Sequence, residues 1–164
     1  SLYIKRNKNK IELEPIIHGG GHEYGYRSGT LSVHNIVGFG AACMIANQQK
    51  TKDNKKIKKM RDLLLKGLIK KFPNLILNGN FEKRLEGNLN ITFPKYSAER
   101  IMMKLTQIAC STGSACTSSI PKPSHVLLAI GLNKEQINNT LRFGIGRFNN
   151  IEEINYTIKL FERI

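Results

Sequence analysis

The sequence predicts an α/β fold whose larger part is a small α+β domain, a short sheet flanked by helices. Three observations predict it. Apolar residues recur at helical spacing over 36–44, 57–72 and 151–161. Short apolar or alternating runs lie between them, at 75–77, 89–93, 108–110 and 140–145. The two kinds of element interleave rather than segregate, as a sheet covered by helices requires. At 164 residues the chain is sized for one good core, or for one small domain plus part of another.

In order, Leu2-Tyr3-Ile4 and Ile11-Glu12-Leu13 read as two strands of a hairpin joined by the polar 5–10 connection. His18 to Thr30 holds five glycines in thirteen residues and cannot be a regular element. Ile36, Val37, Gly40, Ala41 and Met44 mark a helix with a small-residue face. Ile57, Met60, Leu64, Leu68 and Phe72 mark a second, or the continuation of one long helix that Pro73 stops. The domain boundary is expected near Gln48–Lys52, dividing the chain into 1–50 and 51–164. Leu75-Ile76-Leu77 reads as a strand and Asn78-Gly79 as a turn. Leu89, Ile91 and Phe93 alternate with Asn88, Asn90 and Thr92, the pattern of a half-buried strand. Ser97 can cap a helix to about Leu105. Ile108-Ala109-Cys110 is a third strand, 126–130 a short helix stopped by Gly131, and Asn133 can cap another turn. In 140–145, Leu141, Phe143 and Ile145 share one strand face while Arg142 points the other way. Ile151 to Phe161 is an amphipathic helix capped by Asn149 or Asn150.

Composition narrows the function classes. Hydrophobic residues make up 40% and charged residues 23%, a globular rather than a disordered balance. No apolar run approaches the roughly 20 residues of a membrane span. The start lacks the features of a signal peptide and has no initiator Met, so the chain reads as cut out of something longer. The net charge of +14 raises the possibility of nucleic acid. However, ten basic residues lie between Lys50 and Lys71, on one helix without aromatic residues for base stacking. A solvated helix face is therefore expected, and the alternative is a non-enzymatic RNA-binding module using Lys50–Lys71. Three unevenly spaced cysteines make no disulfide framework. Cys43 and Cys110 read as small buried hydrophobes. His18 and His22 lack the carboxylate or thiolate partners of a metal site, so no metal is expected.

Two loops carry chemistry. The run 110–119, Cys-Ser-Thr-Gly-Ser-Ala-Cys-Thr-Ser-Ser, reads as a mobile loop presenting Cys116 to solvent. The glycine-rich loop ending at Thr30, just before a helix, has the makings of an anion cradle, although it matches neither dinucleotide nor P-loop spacing.

Three blocks then resemble one family. They are His-Gly-Gly-Gly-His-Glu-x-Gly-x-Arg-Ser-Gly-Thr (18–30), Ser-x-Gly-Ser-Ala-Cys-Thr-Ser (111–118) and Leu-Arg-Phe-x-x-Gly-Arg-Phe (141–148). Each is similar to a segment of the pyridoxal-phosphate-dependent cysteine desulfurases of the NifS/IscS-like branch, and they occur in the same order. The resemblance implies the C-terminal part of a fold-type I transferase. Residues 1–50 would end the large domain that binds pyridoxal 5′-phosphate, and 51–164 would form the small domain carrying the cysteine loop. It implies conversion of L-cysteine to L-alanine, with Cys116 becoming a persulfide. A loop cysteine suits that task, since the attacking group must be a thiolate and must travel from substrate to acceptor.

Arg142 matches the residue that grips the substrate carboxylate, with Arg147 as the fallback. Thr30 matches the donor to the cofactor phosphate of the neighbouring subunit, so a homodimer is implied; a helix N-cap is its structural alternative. His18, His22 and Arg27 would shape the loop or the interface. In this family the Schiff-base lysine and the histidine stacking on the cofactor lie upstream of the segment matching Ser1-Leu2-Tyr3, so the chain alone is expected to be inactive. Implied partners are an iron–sulfur scaffold protein and other sulfur acceptors, including those of tRNA thiolation. The implied location is the mitochondrion in a eukaryote or the cytoplasm in a bacterium. A selenocysteine lyase or another class V aminotransferase is a further reading within the same enzyme class.

Overall fold

The computed structural model describes residues 2–5, 12–112 and 123–164. The chain divides into two compact units, Ser1–Gln48 and Gln49–Ile164.

The first unit is organised by backbone geometry rather than by burial. Residues 2–5 and 12–15 form no strand. A two-stranded ribbon such as the expected hairpin is by itself marginal in water. A tight turn at Glu23–Gly25 follows, with Glu23 and Tyr24 at positive φ (53° and 57°). Gly19, Gly21, Gly25 and Gly29 also have positive φ, so the glycines in this loop answer a backbone need. Ser28 closes the loop: its N–H donates to the Ile17 carbonyl (3.1 Å), and its Oγ accepts from the Gly21 N–H (3.3 Å). Helix α1 (Val33–Lys71) begins here with Ser32 ahead of it, so Thr30 is not its N-cap. Cys43, expected to be buried, is exposed.

The second unit holds the core. It has four strands, β1 (Ile76–Leu77), β2 (Asn88–Thr92), β3 (Ser111–Thr112) and β4 (Thr140–Gly144), and after α1 the helices α2 (Ala98–Lys104), α3 (His125–Ala129), α4 (Lys134–Asn138) and α5 (Ile151–Phe161). The sheet order is β1-β2-β4-β3, and every neighbouring pair is antiparallel. Pairing with β4 starts at Ser111 rather than within 108–110, where Ile108 and Cys110 pack against the core without joining the ladder.

Register decides which face is apolar. Leu89 opposes Phe143 and Ile91 opposes Leu141, so four buried apolar side chains share one face. Met60, Leu64 and Leu68 of α1, Ile101 of α2, and Ile154, Leu160 and Phe161 of α5 join them in one cluster. Phe161 stacks on Phe93 with ring centroids 5.7 Å apart, and Phe72 meets Phe93 edge-on at 5.5 Å. α5 approaches α1 at Gly67, where a Cβ would meet Ile158 at 2.5 Å. Asn133 and Asn150 both close capping boxes, each side chain accepting from the backbone N–H three residues on. In α5 that bond and its return partner hold Glu153: Asn149 Nδ2 and the Asn150 N–H donate to its carboxylate, keeping it below the usual carboxylate range.

The lysine-rich part of α1 is not uniformly solvated. Arg61 is buried, with its guanidinium against Asp62 (2.7 Å), 3.8 Å from Glu86 and 4.9 Å from the centre of the Phe81 ring. Pairing makes a buried cation tolerable here.

Candidate functional site

The second face of the sheet is polar, because the alternation that sends Leu89 and Ile91 to the core sends Asn88, Asn90 and Thr92 the other way. Asn90 sits opposite Arg142, and Ser111 flanks Arg142 from the other side. Beyond β2, the Asn78 N–H donates to the Asn90 carbonyl at 3.0 Å and extends the same row. Asn78, Asn90, Arg142 and Ser111 thus run across four neighbouring strand lines.

A cleft of about 310 Å³ opens on this face. Arg142, Lys83 and Arg84 are its charged lining residues, with the amides of Asn78, Asn80, Asn88 and Asn90; α3 and its caps supply Ser124, Val126, Leu127 and Ile130. Among the described residues no carboxylate lines it. An aqueous cleft walled by three cations and several amides favours an anion. Arg84 is held rigidly. Its Nε donates to the Asn80 carbonyl and its Nη2 to the Asn78 carbonyl, both at 2.7 Å, while Nη1 is buried without a partner among the described residues. Burial, and then the nearby Arg61 charge, lower its pKa from the usual value. Arg142 is exposed, and among the described residues its side chain makes no ion pair.

The other predicted residues fall as follows. Cys116 lies outside the described residues. Arg147, the fallback, is tied down structurally: it pairs with Asp53 (3.0 Å) and bonds the Gln49 amide, and its carbonyl accepts from Lys56 Nζ. Of these two predicted arginines, Arg142 is the one that makes no ion pair among the described residues. Thr30 is exposed in the first unit, where Arg27 Nη1 donates to its carbonyl (3.2 Å) and to that of Gly29 (3.0 Å). Its hydroxyl has no partner among the described residues, whereas the loop amides of Gly21, Gly25, Tyr26 and Ser28 are already donating within the loop. A ligand here would meet a hydroxyl donor with the remaining loop amides. That donor set fits a phosphate.

Cys110 is half-buried, and burial raises its thiol pKa, which disfavours the reactive thiolate. Among the described residues no group of three or more His, Cys, Asp or Glu side chains could hold a metal ion, and no helix is long and apolar enough to cross a membrane. The cleft's amides and Arg84 were missed by sequence reasoning. The alternating Asn88, Asn90 and Thr92 signalled a polar face, but not that it would be roofed into a cleft.

Comparison with known proteins fits this geometry. The chain is 49% identical over 162 residues to a cysteine desulfurase IscS of Haemophilus influenzae and 46% identical to that of Colwellia psychrerythraea, covering 99% of this chain and 40% of each relative. It spans about 40% of the length of the relatives it matches. A NifS-like protein from Rickettsia africae superposes with a TM-score of 0.79 at 32% identity, covering 93% of this chain and 40% of that one. A second NifS-like protein gives 0.80 at 29%, and DndA from Streptomyces lividans gives 0.67 at 28%. The small antiparallel sheet with flanking helices is therefore the architecture of that group. The class-V aminotransferase family model matches residues 2–157, nearly end to end, and the chain belongs to that family.

Proposed function

We propose that the full-length protein containing this chain is a pyridoxal-phosphate-dependent cysteine desulfurase, which converts L-cysteine to L-alanine and places the sulfur on Cys116. The observation that carries this reading is the pairing of Ser111 with Arg142. It sets the start of the cysteine loop beside an arginine that makes no ion pair among the described residues, in a cationic cleft. Cys116 follows Ser111 by five residues in the sequence.

In this reading Arg142 binds the substrate carboxylate through its planar fork and orients the molecule. Pyridoxal phosphate, when bound, supplies an electron sink for the substrate carbons. Thr30, with the remaining amides of the glycine-rich loop, would hold the phosphate of the neighbouring subunit's cofactor, which makes the protein a homodimer. The Cys116 thiolate attacks the substrate sulfur. The new S–S bond forms as the C–S bond breaks, the bonding pair stays with carbon, and Cys116 is left as a persulfide. Residues 1–50 belong to the end of the cofactor-binding domain and 51–164 to the small domain. No lysine here fills a Schiff-base motif, so the chain without the rest of the protein should be inactive. The persulfide would supply a scaffold protein for iron–sulfur clusters and other acceptors, in the cytoplasm of a bacterium or the mitochondrion of a eukaryote.

Replacing the thiol in the full-length enzyme tests this. Cys116→Ser should lower alanine release from L-cysteine by at least a hundredfold. Alanine release that is indifferent to the change would mean that Cys116 does not take the sulfur, and the proposal would be wrong.

A further inference from the structure

We propose that Asn90 is the second donor of the anion site centred on Arg142, and that Asn78 is the residue that aims it. The inference rests on the assignment of Arg142 to the substrate carboxylate and adds a residue to that site.

The argument follows hydrogen-bond direction. The Gln136 carbonyl can only accept, so the Thr140 hydroxyl 2.6 Å away must donate to it. A hydroxyl has one proton, so Thr140 Oγ1 accepts from the Thr92 hydroxyl at 2.7 Å. Thr92 has then used its proton and accepts from Asn78 Nδ2 at 2.9 Å; the longer approach of Asn78 Oδ1 to Thr92, at 3.2 Å, carries no proton. Asn78 Nδ2 spends its other hydrogen on Asn90 Oδ1 at 2.7 Å. Asn78, Thr92 and Thr140 are all buried, so water does not compete along this relay.

The consequence falls on Asn90. Its carbonyl oxygen is turned toward Asn78, so its Nδ2 faces away, and among the described residues that nitrogen has no partner. Asn90 lines the cleft and stands directly opposite Arg142, which puts their Cβ atoms about 5 Å apart on one sheet face. An amide N–H and a guanidinium at that spacing can both reach the oxygens of one carboxylate. The sequence places an asparagine here, but a serine would satisfy a merely polar strand face. The relay from Gln136 through Asn78 is what fixes which end of the amide looks outward.

The test uses the full-length, cofactor-loaded enzyme and equilibrium binding of 3-mercaptopropionate, a thiol carrying the carboxylate, measured by calorimetry. Cysteamine, which has the thiol and no carboxylate, is the control. Asn90→Ala removes the outward donor without adding charge beside Arg142; it should weaken 3-mercaptopropionate about tenfold or more and leave cysteamine unchanged. Asn90→Asp, which keeps an acceptor for Asn78 but adds a carboxylate beside Arg142, should weaken 3-mercaptopropionate further. Wild-type affinity in Asn90→Ala overturns the inference, as does a wild-type enzyme that fails to bind 3-mercaptopropionate. If Arg142→Ala leaves affinity unchanged, the arginine assignment fails and this inference with it; if Arg142→Ala weakens binding and the Asn90 variants do not, this inference alone fails.

Discussion

The two units of this chain solve different problems. In 49–164, Leu68, Leu89, Ile91, Phe93, Leu141 and Phe161 have no exposed surface, and the fold is held by their packing. In 1–48 only Ser28 is buried among the described residues, while Ile16 (91%), Tyr24 (87%) and Val37 (64%) lie open. There, shape comes from glycine dihedrals and a few main-chain hydrogen bonds. The difference teaches that a folded-looking loop and a packed domain place their chemical groups by separate means. The cleft's donors are fixed by a core beneath them, whereas Thr30 is held by the Arg27 side chain, which donates to its carbonyl.

Glycine substitutions probe this contrast most sharply. At Gly87 a Cβ would fall 2.0 Å from the Ile145 carbonyl oxygen, a main-chain atom that cannot step aside. Gly87→Ala should cost the 49–164 unit about 3 kcal/mol or more in chemical denaturation. Gly38, inside α1, has open space around its Cβ position, so Gly38→Ala should stabilise the helix by about 0.5–1 kcal/mol. Two losses of similar size would erase the distinction between the units.

A smaller effect comes from pH. Glu153 is held below the ordinary carboxylate range by the Asn149 and Asn150 hydrogen bonds. A depressed folded-state pKa contributes stability that is present above the unfolded value of about 4.3 and lost as pH falls through the folded one. Melting of the protein should therefore show an acid-side loss that shrinks in Glu153→Gln. An unchanged acid profile in that variant would remove the capping box from the account.

Much of the second unit was legible because local chemistry and burial agree there. The alternation over 88–93 and 140–145 predicts strands that exist, and Asn133 and Asn150 cap as their positions suggest. The expected 2–13 hairpin has strand-forming residues, yet residues 2–5 and 12–15 form no strand. Two features were hidden for physical reasons. Arg61 reads as one more surface cation, because its burial depends on Asp62, Glu86 and Phe81 arriving together. Asn78 reads as a turn residue, since its partners Thr92 and Thr140 are 14 and 48 further positions away and meet only through strand register. In the candidate site, the strand face of Arg142 was legible from parity and its candidacy came from the motif resemblance, while the amides around it required the sheet.

The most direct measurement is the sulfur content of each cysteine peptide after the full-length enzyme has met L-cysteine without an acceptor. Mass spectrometry under non-reducing conditions should find one added sulfur atom on the peptide carrying Cys116, none on that of Cys110, whose thiolate burial disfavours, and none on that of Cys43. Extra sulfur on Cys110 alone, or on no cysteine during active turnover, would contradict the account.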